Sequence, residues 1–90
     1  MNYTFPETIF VDCATIERQV EHVQEEYIEF MREFANSRMG EADIEAMDIY
    51  HSLETYFRMR GKAGIDVGEV VSLTQRKNKE RGYYSASKTG

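Results

Sequence analysis

One cysteine, Cys13, and one proline, Pro6, occur in the whole chain. A lone thiol excludes an internal disulfide and a cysteine metal knuckle, and it suits a reducing compartment, so a cytoplasmic location is expected. Long apolar runs are also missing. The longest are a few residues, such as Ile9-Phe10-Val11, and no basic segment followed by an apolar one opens the chain. Neither a membrane span nor a signal peptide is therefore expected. Gly61-Lys62-Ala63-Gly64 lacks the Walker phosphate-loop pattern, and no histidine and carboxylate are spaced to make a nucleophilic triad with Ser52 or Thr55. Repeats and low-complexity segments are absent, and nothing in the pattern calls for a sheet.

Ninety residues, 41% apolar and 30% charged, describe one domain spanning 1–90 that is too apolar for intrinsic disorder. A chain of this length buries only about 60–65% of its unfolded surface, so the small core favours self-association. The net charge of -5 argues against general nucleic-acid binding, but it is unevenly placed. Residues 7–54 hold 13 acidic and 3 basic side chains, whereas residues 58–88 hold 3 and 8. An acidic body carries a basic tail.

Residues 1–11 mix aromatic and β-branched types around Pro6 and predict an extended arm, leading to a helix capped near Asp12 or Thr15. Ile16, Val20, Val23, Tyr27, Phe30 and Phe34 then recur at intervals of four and three, which places one apolar stripe on a first helix. Asn36 to Gly40 supplies turn formers and a candidate for left-handed backbone. A second helix follows from about Ala42 to Arg60, with Ala46, Ile49, Tyr50, Leu53, Tyr56 and Phe57 on one face, and is ended by Gly61 and Gly64. Asp66 with Glu69 forms a capping box for a shorter third helix, which docks by Val67, Val70 and Val71. Ser85 to Gly90 reads as a frayed end. The expected fold is all-α: an antiparallel helical hairpin plus a shorter third helix, assembling into a helical bundle as a homo-oligomer.

Glu25-Glu26-x-x-Glu29 falls on the first helix and Glu45-x-x-Asp48 on the second, each with carboxylates on adjacent turns. The count proves nothing, because 16 acids in 90 positions give about three such pairs at random, so placement has to decide. At ~100° per residue, Glu26 lies about 80° from its stripe and Glu45 about 90° to the same rotational side of its own. Two antiparallel helices packed stripe to stripe then bring Glu26, Glu29, Glu45 and Asp48 to one face of the hairpin. Like charges so gathered either raise their pKa values or take up a cation, and hard oxygen ligands favour magnesium or manganese. The plain alternative is a solvated acidic face. Arg76, Lys77, Lys79 and Arg81 offer a grip for phosphate oxygens or, more simply, complement a helix C-terminus. Tyr83 and Tyr84 stack on a base or cover an apolar edge. His22 and His51 border the acidic face, but Asp48-x-x-His51 with Gln19-x-x-His22 is a poor match to a di-iron bundle.

This order of acids, followed by the ending Lys77-Asn78-Lys79-Glu80-Arg81-Gly82-Tyr83-Tyr84, resembles the MazG-like all-α nucleoside triphosphate pyrophosphohydrolases of the short bacterial and phage type, over about residues 16–84. The resemblance implies that Glu26, Glu29, Glu45 and Asp48 bind Mg2+, with Mn2+ as a substitute and Glu25 as an outer partner. Lys77, Asn78 and Arg81 would meet the triphosphate. It implies that water activated by the metal attacks the α-phosphorus, with Glu26 or Glu29 orienting or deprotonating it, and that monophosphate and pyrophosphate leave. The active unit would be a dimer or tetramer. Where many members carry a lysine a turn before the first acidic pair, this chain has His22 and Gln19. The rival expectation is a non-catalytic helical adaptor or regulator that dimerises through the Ile16 to Phe34 stripe.

Overall fold

A computed structural model of the protein describes residues 2–85, in which the chain forms four helices and no strand. They are α1 (Phe10–Cys13), α2 (Ile16–Ala35), α3 (Met39–Lys62) and α4 (Val67–Glu80). The expectation for Ser85 to Gly90 falls, beyond Ser85 itself, on residues 86–90, outside those described. The extended arm is shorter than its sequence suggests, because Phe10 and Val11 already belong to the single turn of α1, which buries Val11.

Local chemistry sets each helix end. The Thr15 hydroxyl accepts from Arg18 N–H and starts α2, and the Asp66 carboxylate accepts from Glu69 N–H and starts α4. Each of the three long helices closes with the same pair of backbone bonds. Arg38 N–H reaches Glu33 O and Ser37 N–H reaches Phe34 O at the end of α2, and the pairing recurs as Ile65 to Arg60 with Gly64 to Gly61, then as Tyr83 to Asn78 with Gly82 to Lys79. The pivot residue needs left-handed backbone, which Gly64 (φ 100°) and Gly82 (φ 77°) adopt freely and Ser37 (φ 58°) adopts against its preference. The left-handed turn is thus at Ser37, while Gly40 lies inside α3, which starts three residues before the expected Ala42.

α2 and α3 form the expected antiparallel hairpin, but its seam is rotated from the stripe-to-stripe arrangement. The stripe on α2 divides into two rows, each with a spacing of seven. Ile16, Val23 and Phe30 are half-buried, whereas Val20, Tyr27 and Phe34 stay 53%, 52% and 54% exposed. The row completing the seam is polar: Gln19, Glu26 and Glu33. A helix meets one neighbour along only two adjacent rows, so six apolar residues spread over about 80° of surface do not all face one partner once Gln19, Glu26 and Glu33 fill one of those rows. On α3 the buried positions are likewise small or polar, namely Ala42, Ser52, Glu54 and Thr55, while Tyr50 and Leu53 of the expected face remain exposed.

The arm is strapped to the far half of α3. Glu54, only 2% exposed, accepts N–H bonds from Thr4 (2.7 Å) and Phe5 (2.9 Å). Arg58 donates to Phe5 O at 2.7 Å and lies 4.3 Å from the centre of the Tyr3 ring. In contrast, α4 packs on α3 sparsely, by Val67 against Gly61 at the junction. The Cα envelope measures 37 × 36 × 21 Å and the radius of gyration is 15.4 Å, against about 12 Å for a compact domain of this length. α4 therefore projects from the hairpin instead of folding back along it.

Candidate metal centre

Three polar contacts cross the hairpin at intervals of two helical turns. Gln19 Nε2 donates to Ser52 O (2.9 Å), and fourteen residues along α2 Arg38 grips Glu33, with Nη2 to Oε1 at 3.0 Å and Nε to Oε2 at 2.7 Å. Midway between them the same register sets Glu26 of α2 against Glu45 of α3. The outer contacts pair a donor with an acceptor. The middle one sets two carboxylates together, and Glu29, one turn on from Glu26, adds a third: one oxygen from each of Glu26, Glu29 and Glu45 lies within 4.8 Å of the others.

Burial, followed by the charges of Asp48, Glu29 and Glu25, pushes the Glu26 carboxyl above the usual carboxylate pKa, with His22 acting against the rise. Glu45 is raised too, by burial first, then by the charge of Glu29 and a hydrogen bond with it, and by Asp48 and Glu26. Its Oε2 is buried without a hydrogen-bond partner. An orphaned anionic oxygen, surrounded by others that raise its proton affinity, is a donor set that a hard divalent cation would satisfy.

The residues singled out in the sequence fall into three groups. Glu26, Glu29 and Glu45 converge. Asp48 stands outside the closest trio, yet its charge reaches both Glu26 and Glu45. Glu25 turns away to Arg18, which bonds its two oxygens at 3.0 and 3.5 Å and holds its carboxyl below the usual range. His22 is the bridge between these surroundings, with Nε2 3.2 Å from Glu26 and Nδ1 3.7 Å from Glu25.

Lys77, Asn78 and Arg81 are not brought to the acids within one chain. They occupy the last turn and cap of α4, where Arg81 N–H bonds Lys77 O and Asn78 O accepts from Tyr83 N–H. α4 starts beyond the end of α3 opposite Glu45, about 30 Å from it along the axis at the ordinary helical rise. The Lys-Asn-Lys-Glu-Arg-Gly-Tyr segment thus has a complete structural account as a glycine-terminated helix end carrying cations that suit its dipole.

The sequence pointed to Gln19 without its role in the seam, and it did not point to Glu54 or Arg58. Gln19 had a usable signal, since it lies seven residues before Glu26 and shares its row. The contacts of Glu54 and Arg58 with the arm span about fifty residues and leave no periodic trace. Compared with known proteins, the chain matches no family model, no curated protein and no solved structure. Among the described residues, no helix is long and apolar enough to cross a membrane.

Proposed function

We propose that this protein is a divalent-cation-dependent hydrolase of MazG-like type that converts nucleoside triphosphates to nucleoside monophosphates and pyrophosphate. The observation carrying this reading is the middle contact of the hairpin, where carboxylates meet carboxylates between two contacts that are properly paired. A purely structural seam gains nothing from that arrangement, because like charges raise one another's pKa and destabilise the folded state.

Glu26, Glu29 and Glu45 would hold Mg2+, with Mn2+ as a substitute and Asp48 at the edge of the set. Once bound, the ion would supply charge neutralisation on the polyphosphate and a lowered pKa for water. The carboxylate least engaged as a ligand, Glu26 or Glu29, would orient that water and accept its proton. Glu29 is the more exposed of the two, and His22 restrains Glu26.

Lys77, Asn78 and Arg81 would reach the triphosphate only in an assembly that lays the α4 of one copy over the hairpin of another. The row Val20, Tyr27 and Phe34, with Tyr50 and Leu53 of α3, offers the apolar surface for such a homo-oligomer, a dimer or tetramer. Incubating the protein with Mg2+ and a panel of ribo- and deoxyribonucleoside triphosphates tests this directly. The expected result is monophosphate and pyrophosphate in equal amounts, lost in Glu45→Gln with the helical circular-dichroism signal kept. Absence of both products across the panel rejects the reading. The same exposed row supports a second reading, a helical adaptor without catalysis. It expects thermal stability indifferent to magnesium with nucleotide.

A further inference from the structure

Beside the acidic trio, on the other side of His22, two hollows lie under the one-turn helix α1. The larger has a volume of about 200 Å³ and is lined by Phe10, Ala14, Arg18, Gln19 and His22. The smaller, about 70 Å³, shares Phe10, Gln19 and His22 with it and reaches inward to His51 and Thr55. Phe10 and His22 meet with ring centroids 6.3 Å apart and planes at 42°, making an aromatic corner. Phe10 is 44% exposed although it sits over this opening.

The polar groups along the walls are held in defined orientations. Gln19 is 3% exposed, and its amide nitrogen is committed to Ser52 O, which leaves the amide oxygen as an acceptor. His51 is held by Phe5 of the arm, stacked at 4.3 Å and 17°, and its buried Nε2 has no hydrogen-bond partner. The His22 ring is fixed by a carboxylate near each of its nitrogens.

We propose that this hollow is a binding site for one planar heterocyclic ring carrying an N–H donor, such as the base of a nucleoside. The ring stacks on Phe10 at the aromatic corner and donates to the Gln19 amide oxygen. The size supports a single ring system, since pockets for larger organic ligands run from about 300 Å³ upward. An uncharged ring also suits a wall shared with an acidic cluster, where a free anion would be repelled. This inference rests on the hydrolase reading for its substrate class, and it adds that His22 stands between base and polyphosphate, so that the hollow selects the base.

The test is a metal-free NMR titration of the 15N-labelled protein with adenosine, guanosine, cytidine and uridine, which carry no phosphate. Saturable millimolar shifts are expected at the amides of Phe10, Ala14, Arg18, Gln19 and His22 for at least one nucleoside, and inorganic tripolyphosphate should not reproduce them. Phe10→Ala should weaken that binding about tenfold by removing the stack. Ala14→Leu should weaken it comparably by filling the hollow while keeping the aromatic ring. Both variants are checked for an unchanged helical circular-dichroism signal, and shifts lying elsewhere, or binding indifferent to both, overturn the proposal. Nucleoside binding here without pyrophosphate release would uphold the site and reject the hydrolase. Pyrophosphate release with a KM unaltered by both variants would do the opposite.

Discussion

Glu45 and Glu54 lie nine residues apart on one helix, and their surroundings act on them in opposite directions. Glu54 is almost wholly buried, which alone would raise its pKa, yet the N–H groups of Thr4 and Phe5, the Thr4 side chain and the charge of Arg58 outweigh burial and hold it below the usual value. Glu45 is less buried, yet burial is the first cause of its raised carboxyl, and Glu29, Asp48 and Glu26 add to the rise where Glu54 has donors that reverse it. Burial therefore acts in the same direction on both carboxylates, and the partners supplied at the buried end decide whether the rise is reversed or increased. One carboxylate is matched by donors and holds the arm. The other is left among like charges.

The largest effect expected from this contrast is on activity. Glu45→Gln should reduce magnesium-dependent pyrophosphate release by at least about a hundredfold, leaving the melting temperature equal or higher because a like charge has gone. A variant that keeps its rate would place the chemistry away from the trio. Glu54→Ala should do the reverse. Two buried N–H donors and a guanidinium lose their acceptor, at a cost of roughly 3 kcal/mol, or a fall in melting temperature on the order of 15 °C. Calorimetry showing no such fall would mean that the arm contributes little to the fold.

Acid should separate the two sites in a third way. Glu54 has a lowered folded pKa, so its contribution is full above the ordinary carboxylate range and is lost as pH falls through its folded value. Glu26 and Glu45 have raised values, so the penalty they impose at neutral pH is relieved as pH falls toward the ordinary range. Urea midpoints should rise slightly on mild acidification and then drop in stronger acid, with the rise diminished in Glu45→Gln. Carbon-13 titration of the carboxyl groups should find Glu45 above Glu54. The smallest expected effect is on magnesium alone: at ten times its dissociation constant the ion adds about 1.4 kcal/mol, a shift of several degrees in the wild type that Glu45→Gln should lack.

Much of the hairpin was legible in advance because it is local. Heptad-like spacing identified both long helices, and of the expected end markers Thr15, Gly64 and the Asp66-Glu69 pair serve as such, whereas Asp12 lies inside α1 and Gly61 inside α3. The facing of Glu26 and Glu45 was also expected, but from a seam built of apolar stripes. In the structure those acids lie along the seam itself, in register with Gln19 and Glu33. Periodicity defines rows on a cylinder without saying which row meets the neighbour, and α2 has apolar residues on two rows. The basic segment shows the same limit, since Lys77 and Arg81 were readable as phosphate ligands while nothing local says that α4 projects away from the acids.

Composition and spacing by themselves determined an all-helical chain with an acidic hairpin, a basic end and carboxylates two turns from other polar residues, because helix periodicity and capping depend on neighbours only a few residues away. Tertiary structure alone decided that Glu54 is a clasp for the arm, that Glu45 is left among other acids, and that Val20, Tyr27 and Phe34 face outward. Each of these depends on which distant atoms arrive beside a side chain, and partners from across the fold determine whether a charge is satisfied, repelled or exposed.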